Sequence, residues 1–254
     1  MHRVFITGAS SGIGAALAHR YSASNATLGL IARREAALQE LAAQLSTPLQ
    51  IFYVDVRDSA AMRAAANAFM ARHGCPDIVI ANAGVSTGTL TELPEDLAAF
   101  KDVLDINVLG MVNTFQPFIA AMRAAGRGTL VGIASVAGYR GLPGAAAYSA
   151  SKAAAISYLE SLRVELRASG IKVVTICPGY IATPMTEHNP YPMPFMLSAD
   201  NAARIMLKII DSGKTFAVMP WQMAIVARVL KVLPNWLYDR LFGNAPRKPR
   251  SPRD

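Results

Sequence analysis

Cysteine is scarce in this chain. Its 254 residues include only two cysteines, Cys75 and Cys177, which lie far apart and lack the spacing of metal ligands. Two isolated thiols exclude a disulfide framework and favour reduced side chains in a reducing compartment. We therefore predict no metal site and a cytoplasmic protein.

Long apolar runs are also missing. No stretch of 18 or more consecutive apolar residues occurs, which argues against an obvious membrane span. The N-terminus enters an apolar run at residues 4–6 without the charged start and cleavage site of a signal peptide. Both absences agree with the cytoplasm as the expected location.

Acidic residues are outnumbered, with 17 against 25 basic ones, so the formal net charge is +8. The excess is scattered and shows no aromatic interleaving, which excludes a nucleic-acid partner from our predictions. Four basic residues and two prolines lie in residues 247–254, and we predict that residues 244–254 form a disordered basic tail. Weak attraction to anionic ligands or lipid head groups is the expected effect of the charge.

Short apolar runs alternate with longer, alanine-rich helical stretches. The runs are residues 4–6, 27–31, 49–54, 78–81, 129–133, 172–176 and 215–219. Strands that alternate with helices and are apolar on both faces indicate a parallel sheet between helical layers. We predict an α/β fold over residues 1–243, a single Rossmann-type, doubly wound parallel sheet of about seven strands with helices on both faces.

Two segments depart from this alternation. Residues 185–198 contain Pro190, Pro192 and Pro194, which oppose a regular helix, and are otherwise apolar, so they predict either a substrate loop or an ordinary packed loop. Residues 220–243 predict two amphipathic helices divided by Pro234. These helices suit packing on the domain, on a second subunit, or on the inner face of a membrane, and the sequence leaves the three open.

A glycine-rich turn follows the first predicted strand. Gly8 permits a tight turn, Gly12 permits close approach of a pyrophosphate, and Gly14 permits close packing of the next helix on the strand. The helix N-terminus then offers N–H groups and a partial positive charge to phosphates. The turn therefore predicts a dinucleotide site, to which Ser11 adds a hydroxyl.

Two arginines, Arg33 and Arg34, follow the second predicted strand, where an NAD-binding chain would have an acidic residue. A carboxylate there would repel a 2′-phosphate, whereas a guanidinium pairs with it. We predict NADP(H) as the cofactor, and we expect removal of Arg33 to weaken its binding. The alternative is that both arginines only solvate the next helix.

Tyr148 and Lys152 lie four residues apart in a predicted helix, and so on one face. An ammonium beside a phenol stabilises tyrosinate and is expected to lower its pKa, which suits general acid/base work. Ser135 comes just after the fifth run, and so at the carboxyl end of a strand, where open α/β sheets bind ligands. Together these residues predict an acid/base centre.

The chain resembles the short-chain dehydrogenase/reductase family over about residues 2–220. The matching motifs are Thr7-Gly8-Ala9-Ser10-Ser11-Gly12-Ile13-Gly14, Asp55, Ala81-Asn82-Ala83-Gly84, Asn107, Ser135, Tyr148 with Lys152, and Pro178-Gly179-Tyr180-Ile181-Ala182-Thr183. The family usually has asparagine where this chain has Ala81, a departure that we expect to affect packing more than chemistry.

The resemblance implies a catalytic tetrad of Asn107, Ser135, Tyr148 and Lys152, in which Tyr148 exchanges the proton and Asn107 keeps a water that links Lys152 to a proton relay. It also implies cofactor contacts along the motifs. These are Gly8, Ser10, Ser11, Gly12, Ile13, Gly14, Arg33, Arg34, Asp55, Val56, Asn82, Ala83, Gly84, Tyr148, Lys152, Pro178, Gly179, Ile181 and Thr183. By the same resemblance, Asp55 contacts adenine, while Ile181 and Thr183 bind the carboxamide.

These features predict an NADP(H)-dependent oxidoreductase that transfers hydride between nicotinamide and a carbonyl or secondary alcohol. The apolar loop favours a hydrophobic ketone or aldehyde as the substrate, and the NADP(H) prediction favours reduction. A non-catalytic NADP(H) sensor or scaffold is the alternative. The resemblance further implies a homodimer or homotetramer.

Overall fold

Seven parallel strands form the central sheet of the computed structural model, which describes residues 2–250. The strands are β1 (Arg3–Thr7), β2 (Thr27–Ala32), β3 (Leu49–Tyr53), β4 (Ile78–Ala81), β5 (Gly128–Ile133), β6 (Ile171–Pro178) and β9 (Phe216–Met219). Their order across the sheet is β3-β2-β1-β4-β5-β6-β9. The predicted doubly wound parallel sheet is therefore confirmed.

Helices cover both faces of the sheet. They are α1 (Gly12–Ala23), α2 (Glu35–Ala43), α3 (Ser59–His73), α4 (Asp96–Leu104), α5 (Gly110–Ala125), α6 (Ala146–Glu165), α7 (Ala199–Asp211), α8 (Trp221–Val232) and α9 (Asn235–Phe242). Apolar residues of α1, α2 and α7 pack in one core, and those of α3, α5 and α6 pack in the other.

Alternation along β1 shows how one strand serves both cores. Val4 and Ile6 belong to the core under α1 and α7, whereas Phe5 belongs to the opposite core. The Phe5 ring lies 5.5 Å from the ring of Phe69 and 4.8 Å from that of Phe118. Each such buried side chain contributes roughly 1.5–3 kcal/mol, which explains why a parallel strand appears in the sequence as a continuous apolar run.

The sheet reverses its direction of winding beside β1. This strand pairs with β2 on one side and with β4 on the other. The connections after β1 and β4 leave the sheet on opposite faces, and this separation opens a crevice at their carboxyl ends. The crevice contains the site described below.

The stretch Asp96–Ala125 has the length and apolar composition of a membrane-crossing helix. It consists of α4, a π-helical turn (Asp105–Leu109) and α5. Phe115, Phe118 and Met122 are fully buried against the sheet. These are the contacts of a core helix, so the length and composition are explained by the fold.

Two short strands that the sequence did not predict follow β6. Ile181–Ala182 (β7) pairs in parallel with Leu197–Ser198 (β8). Residues 185–198 were expected to form one irregular loop, but β8 takes their last two positions and Ser198 then caps α7 by accepting a hydrogen bond from the Asn201 N–H. The two short strands fix both ends of this loop.

The C-terminal segment forms α8 and α9, which meet at Pro234 as predicted. Their exposed apolar residues are Trp221, Ile225, Val229, Val232, Trp236 and Leu241, between 52% and 79% exposed. We call these six residues the C-terminal apolar stripe.

Residues 244–250 differ from the predicted disordered tail, because they lie along the domain surface. Arg250 pairs with Asp96 and Glu95 at 2.9 Å, and the Gly88 N–H donates to the Pro249 carbonyl at 3.0 Å. A basic composition suggested a solvated tail, yet Arg250 meets two carboxylates, that of Glu95 just before α4 and that of Asp96 at the first position of α4. Residues 251–254 of the predicted tail lie outside the described residues.

Candidate active site

The glycine turn after β1 is packed too closely for side chains. A Cβ added at Gly14 would lie 2.2 Å from the Gly8 carbonyl oxygen and 2.7 Å from Asn82 Nδ2, and Gly8 itself has φ +66°. These contacts bring the start of α1 against the end of β1, as the sequence predicts for Gly14. The backbone N–H groups of the first helical turn thereby face the crevice.

Asn82 joins the ends of the two central strands. Its Nδ2 donates to the carbonyl oxygens of Thr7 at 3.1 Å and Gly8 at 3.2 Å. The backbone N–H groups of Asn82 and Ala83 donate in turn to Thr7 Oγ1 at 3.2 and 3.3 Å. Thr7 thus has a positioning role that sequence reasoning missed, although it lies within the matching motif.

The two arginines after β2 point to different parts of the crevice. Arg34 donates to Ser11 Oγ at 2.7 Å and to Ser10 Oγ at 3.1 Å, over the glycine turn. Arg33 instead lies 3.6 Å from Asp55. The sequence prediction relied chiefly on Arg33, but Arg34 is the arginine that contacts the serines of the phosphate turn.

Asp55 is ionised within a basic setting. Burial alone would raise the pKa of its carboxyl, but hydrogen bonds from Arg57 and the charge of Arg33 hold that pKa below its usual value. The Arg57 guanidinium lies 2.7 Å from Asp55 and 3.2 Å from Asp102. Arg57 therefore fixes the carboxylate at the edge of the crevice.

Asn107 lies in the π-helical turn between α4 and α5 and is 1% exposed. Its Oδ1 accepts from the Val85 N–H at 2.8 Å, and its Nδ2 donates to the Val85 carbonyl and to Ser151 Oγ, both at 2.9 Å. Such turns insert one residue into a helix and often occur at functional sites. Here the insertion aims the amide toward β4 and α6.

Gly84 lies between Asn107 and Lys152. A Cβ added at Gly84 would lie 3.2 Å from Asn107 Oδ1 and 3.6 Å from Lys152 Nζ. The structure thus brings together the two residues that the family resemblance links through a water. A side chain at position 84 would intrude between them.

Lys152 is 5% exposed, and its Nζ donates to the Ile133 carbonyl at 2.8 Å. Burial lowers the pKa of this ammonium to about 8. A lysine tuned in this way by desolvation is typical of functional sites.

Tyr148 lies one helical turn before Lys152 on α6, with its ring centroid 5.8 Å from the ammonium. Burial raises the pKa of the Tyr148 phenol, and a hydrogen bond with Ser135 only partly opposes that rise. The expected lowering of the Tyr148 pKa by Lys152 is therefore wrong. Desolvation outweighs the stabilisation of tyrosinate, so the phenol keeps its proton.

A cavity of about 320 Å³ runs along the crevice and contains most of the predicted site residues. Those lining it are Gly8, Ser10, Ser11, Gly12, Ile13, Arg33, Arg34, Asp55, Val56, Asn82, Ala83, Gly84, Ser135, Tyr148, Lys152, Pro178, Gly179, Ile181 and Thr183. Gly14 and Asn107 do not line it, because Gly14 packs behind the turn and Asn107 packs behind Gly84.

Sequence reasoning missed several residues of this cavity. They are Ile31, Ala32, Val54, Val85, Ile106, Ile133, Ala134 and Pro184, whereas Met185 and Thr186, which also line the cavity, belong to the predicted substrate loop of residues 185–198. Most carry no motif and could have been found only from their position at strand ends. Thr186 is more specific, since its hydroxyl donates to the Ile181 carbonyl at 2.7 Å and accepts from the Thr183 N–H at 3.2 Å, which holds the chain after β7.

A second cavity of about 270 Å³ adjoins the first. Ser135, Tyr148 and Gly179 line both, so the Tyr148 side chain stands where the two meet. The second cavity is mostly apolar and is bounded by the loop between β7 and β8 and by residues 242–248. The two cavities thus share a single titratable hydroxyl, that of Tyr148.

Relatives of this chain are described as oxidoreductases. An uncharacterized oxidoreductase of Myxococcus xanthus is 39% identical over 238 residues, which cover 92% of this chain and 93% of the relative. An uncharacterized oxidoreductase of Mycobacterium tuberculosis is 34% identical over 247 residues, covering 94% and 96%.

Solved structures of similar fold include levodione reductase, with a TM-score of 0.80 and 27% identity over 88% of this chain and 98% of that one. A short-chain dehydrogenase from Streptomyces avermitilis has a TM-score of 0.80 and 26% identity over 95% of both chains. The family model for short chain dehydrogenases matches residues 2–192. This chain therefore belongs to the short-chain dehydrogenase family of oxidoreductases.

Proposed function

We propose that this chain is an NADP(H)-dependent oxidoreductase that interconverts a hydrophobic ketone or aldehyde and its alcohol, with Tyr148 as general acid/base. The observation that carries the proposal is the position of Tyr148 and Ser135 on the border of the two cavities. A substrate oxygen at that border would meet both hydroxyls. The remainder of an apolar substrate would occupy the second cavity.

The crevice fits a dinucleotide in shape and charge. Gly8 and Gly14 leave room that a Cβ would fill, and the start of α1 supplies N–H donors suited to a pyrophosphate. Arg34 extends over Ser10 and Ser11, and three donor groups converge there, as a 2′-phosphate requires. The convergence favours NADP(H) over NAD(H).

The nicotinamide, when bound, supplies or accepts the hydride. Tyr148 holds the proton that the substrate oxygen takes during reduction, and its raised pKa keeps that proton in place until the oxygen gains negative charge. Ser135 orients the same oxygen. Lys152, held by the Ile133 carbonyl, lies near the Tyr148 ring and would hold the ribose hydroxyls of a bound nicotinamide nucleotide.

A screen of NADPH oxidation over ketones of graded size tests the proposal. We expect turnover with apolar ketones that fit the second cavity, and a higher kcat/KM with NADPH than with NADH. Tight NADPH binding without turnover over the whole panel would favour the alternative, a non-catalytic sensor or scaffold. A preference for NADH would overturn the cofactor assignment alone.

We also propose that the C-terminal apolar stripe contacts an anionic membrane surface. Arg228, Lys231 and Arg240 are exposed on the same two helices, whereas Asp239 is their one acidic residue. An exposed apolar face beside basic residues is typical of an interfacial helix. Location in the cytoplasm and assembly as a homodimer or homotetramer remain predictions from the sequence.

A further inference from the structure

The second cavity contains a charge that hydride transfer does not use. Its walls are mainly apolar and include Tyr180, Tyr191 and Phe242. Lys248 is the one basic side chain among the described residues that line it, and no acidic side chain lines it with Lys248. A cation on the wall of an apolar pocket is costly unless an anion meets it.

The chain around Lys248 is attached to the domain on both sides. Before it, a Cβ at Gly144 would lie 2.7 Å from Arg247 Cβ, which shows how closely the segment packs. After it, Pro249 accepts from the Gly88 N–H at 3.0 Å and Arg250 pairs with Glu95 at 2.9 Å. These contacts hold the Lys248 side chain at the cavity.

The neighbours of Lys248 leave its charge unbalanced. Its Nζ donates to Asn189 Oδ1 at 3.2 Å and to the Met185 carbonyl at 3.4 Å, two neutral acceptors at long distances. An ammonium has three donors, so one more can be used. Among residues 2–250, no carboxylate forms an ion pair with it, and burial lowers the pKa of this lysine.

The basic residues nearby do not share this situation. Arg250 is paired with Glu95 and Asp96, so its charge is already balanced. Arg247 is exposed and does not line the cavity. One unbalanced positive charge therefore faces the pocket, which suits a singly charged carboxylate.

We propose that Lys248 is a specificity-determining residue that binds a carboxylate on the substrate. The substrate class is then a ketone, or the matching secondary alcohol, with an apolar body and a carboxylate distant from the reacting carbon. This inference rests on the proposed function, because it assumes that the substrate oxygen lies at Tyr148.

The test compares matched pairs of substrates. Aryl methyl ketones that carry a carboxylate at graded distances from the carbonyl are each paired with the corresponding primary amide, which has nearly the same shape but no charge. The measured quantity is the ratio of kcat/KM for the acid to that for the amide. Binding of each acid and amide is measured separately by calorimetry, so that the result does not depend on turnover.

For at least one spacing we expect the wild type to favour the acid, and Lys248→Met to reduce the ratio by roughly 10- to 100-fold, the range for a charged hydrogen bond. Lys248→Arg should restore most of the preference. Arg247→Met removes an equal charge from the same segment and should leave the ratio unchanged.

The outcomes separate the two proposals. If both the acid and the amide are turned over and Lys248→Met does not change the ratio of their kcat/KM values, the carboxylate site is overturned and the proposed activity stands. Equal losses for acid and amide would also overturn it, since they indicate a purely structural attachment of the loop. Absence of turnover together with acid binding that weakens in Lys248→Met would support the site and contradict the proposed activity.

Discussion

The Nζ atom of Lys152 lies 5.8 Å from the centroid of the Tyr148 ring and donates to the Ile133 carbonyl rather than to the phenol. Burial moves the two pKa values in opposite directions, down for Lys152 and up for Tyr148. Both shifts favour the neutral forms. Tyr148 therefore has little tendency to form tyrosinate, whereas Lys152, with a pKa of about 8, keeps most of its positive charge at neutral pH.

The buried ammonium of Lys152 destabilises the folded protein. The pKa of Lys152 falls from 10.5 to about 8 on folding, which corresponds to on the order of 3 kcal/mol at neutral pH. We expect Lys152→Met to raise the free energy of unfolding at pH 7 by up to this amount, less the cost of leaving the Ile133 carbonyl without its donor. Chemical denaturation of both proteins measures the difference.

The stability difference between the wild type and Lys152→Met should depend on pH in a definite direction. Between about pH 8 and 10.5 the unfolded chain binds the Lys152 proton and the folded chain does not, so wild-type stability gains relative to the variant as pH rises. The advantage of Lys152→Met should shrink through this window. A difference that stays constant with pH would show that the ammonium is not destabilised by burial.

Tyr148→Phe tests the acid/base assignment. Removing the hydroxyl should lower kcat at least roughly 10²- to 10⁴-fold, the usual contribution of a general acid, while NADPH affinity changes little. Tyr158→Phe is a matched control, because Tyr158 lies on the same helix, packs against the core and does not line either cavity. Wild-type turnover in Tyr148→Phe would assign the proton to another group.

The arginine contacts predict that Arg34 discriminates NADPH from NADH. Arg34 touches Ser10 and Ser11, whereas Arg33 faces Asp55. Loss of a charged hydrogen bond costs roughly 1.5–3 kcal/mol, so Arg34→Met should weaken NADPH by about 10- to 100-fold and NADH much less. Arg33→Met is the comparison variant, with a smaller expected effect on the preference. A larger loss of preference in Arg33→Met would reverse this assignment.

The central strands β1, β2, β4 and β6 were predictable because they are buried on both faces and so read as apolar runs. The run at residues 78–81 coincides with β4, and the run at 129–133 misses only the first residue of β5. The glycine turn was predictable for the same kind of reason, since close packing at Gly14 admits no other residue. Local physical constraints therefore fixed the frame of the crevice.

Side-chain directions and distant contacts were not predictable. Which of the two adjacent arginines contacts Ser10 and Ser11 depends on where β2 ends and α2 begins. A shift of one residue in either boundary would change the direction of both side chains. The Arg250 contacts join residues 154 and 155 positions apart, and no local pattern indicates them. The raised pKa of Tyr148 depends on burial that only the assembled site produces.

The C-terminal apolar stripe predicts binding to anionic vesicles. Val229 is 52% exposed and Val232 is 79% exposed, so Val229→Glu with Val232→Glu should preserve the fold while it places two negative charges on the stripe. We expect the wild type to float with vesicles that contain phosphatidylglycerol, and the double variant to bind at least 10-fold less, because it loses apolar burial and gains repulsion.

The control for this experiment separates the stripe from overall charge. Arg63→Met with Arg72→Met changes the net charge by the same amount on the exposed side of α3, far in sequence from the stripe. If charge alone drove binding, both double variants would detach equally, whereas binding through the stripe predicts a larger loss in the glutamate variant. A wild type that ignores vesicles but sediments as an oligomer, which the glutamates dissociate, would assign the stripe to a second copy of the chain. In that case the basic residues beside the stripe, which are exposed in the single chain, would be covered by the second subunit.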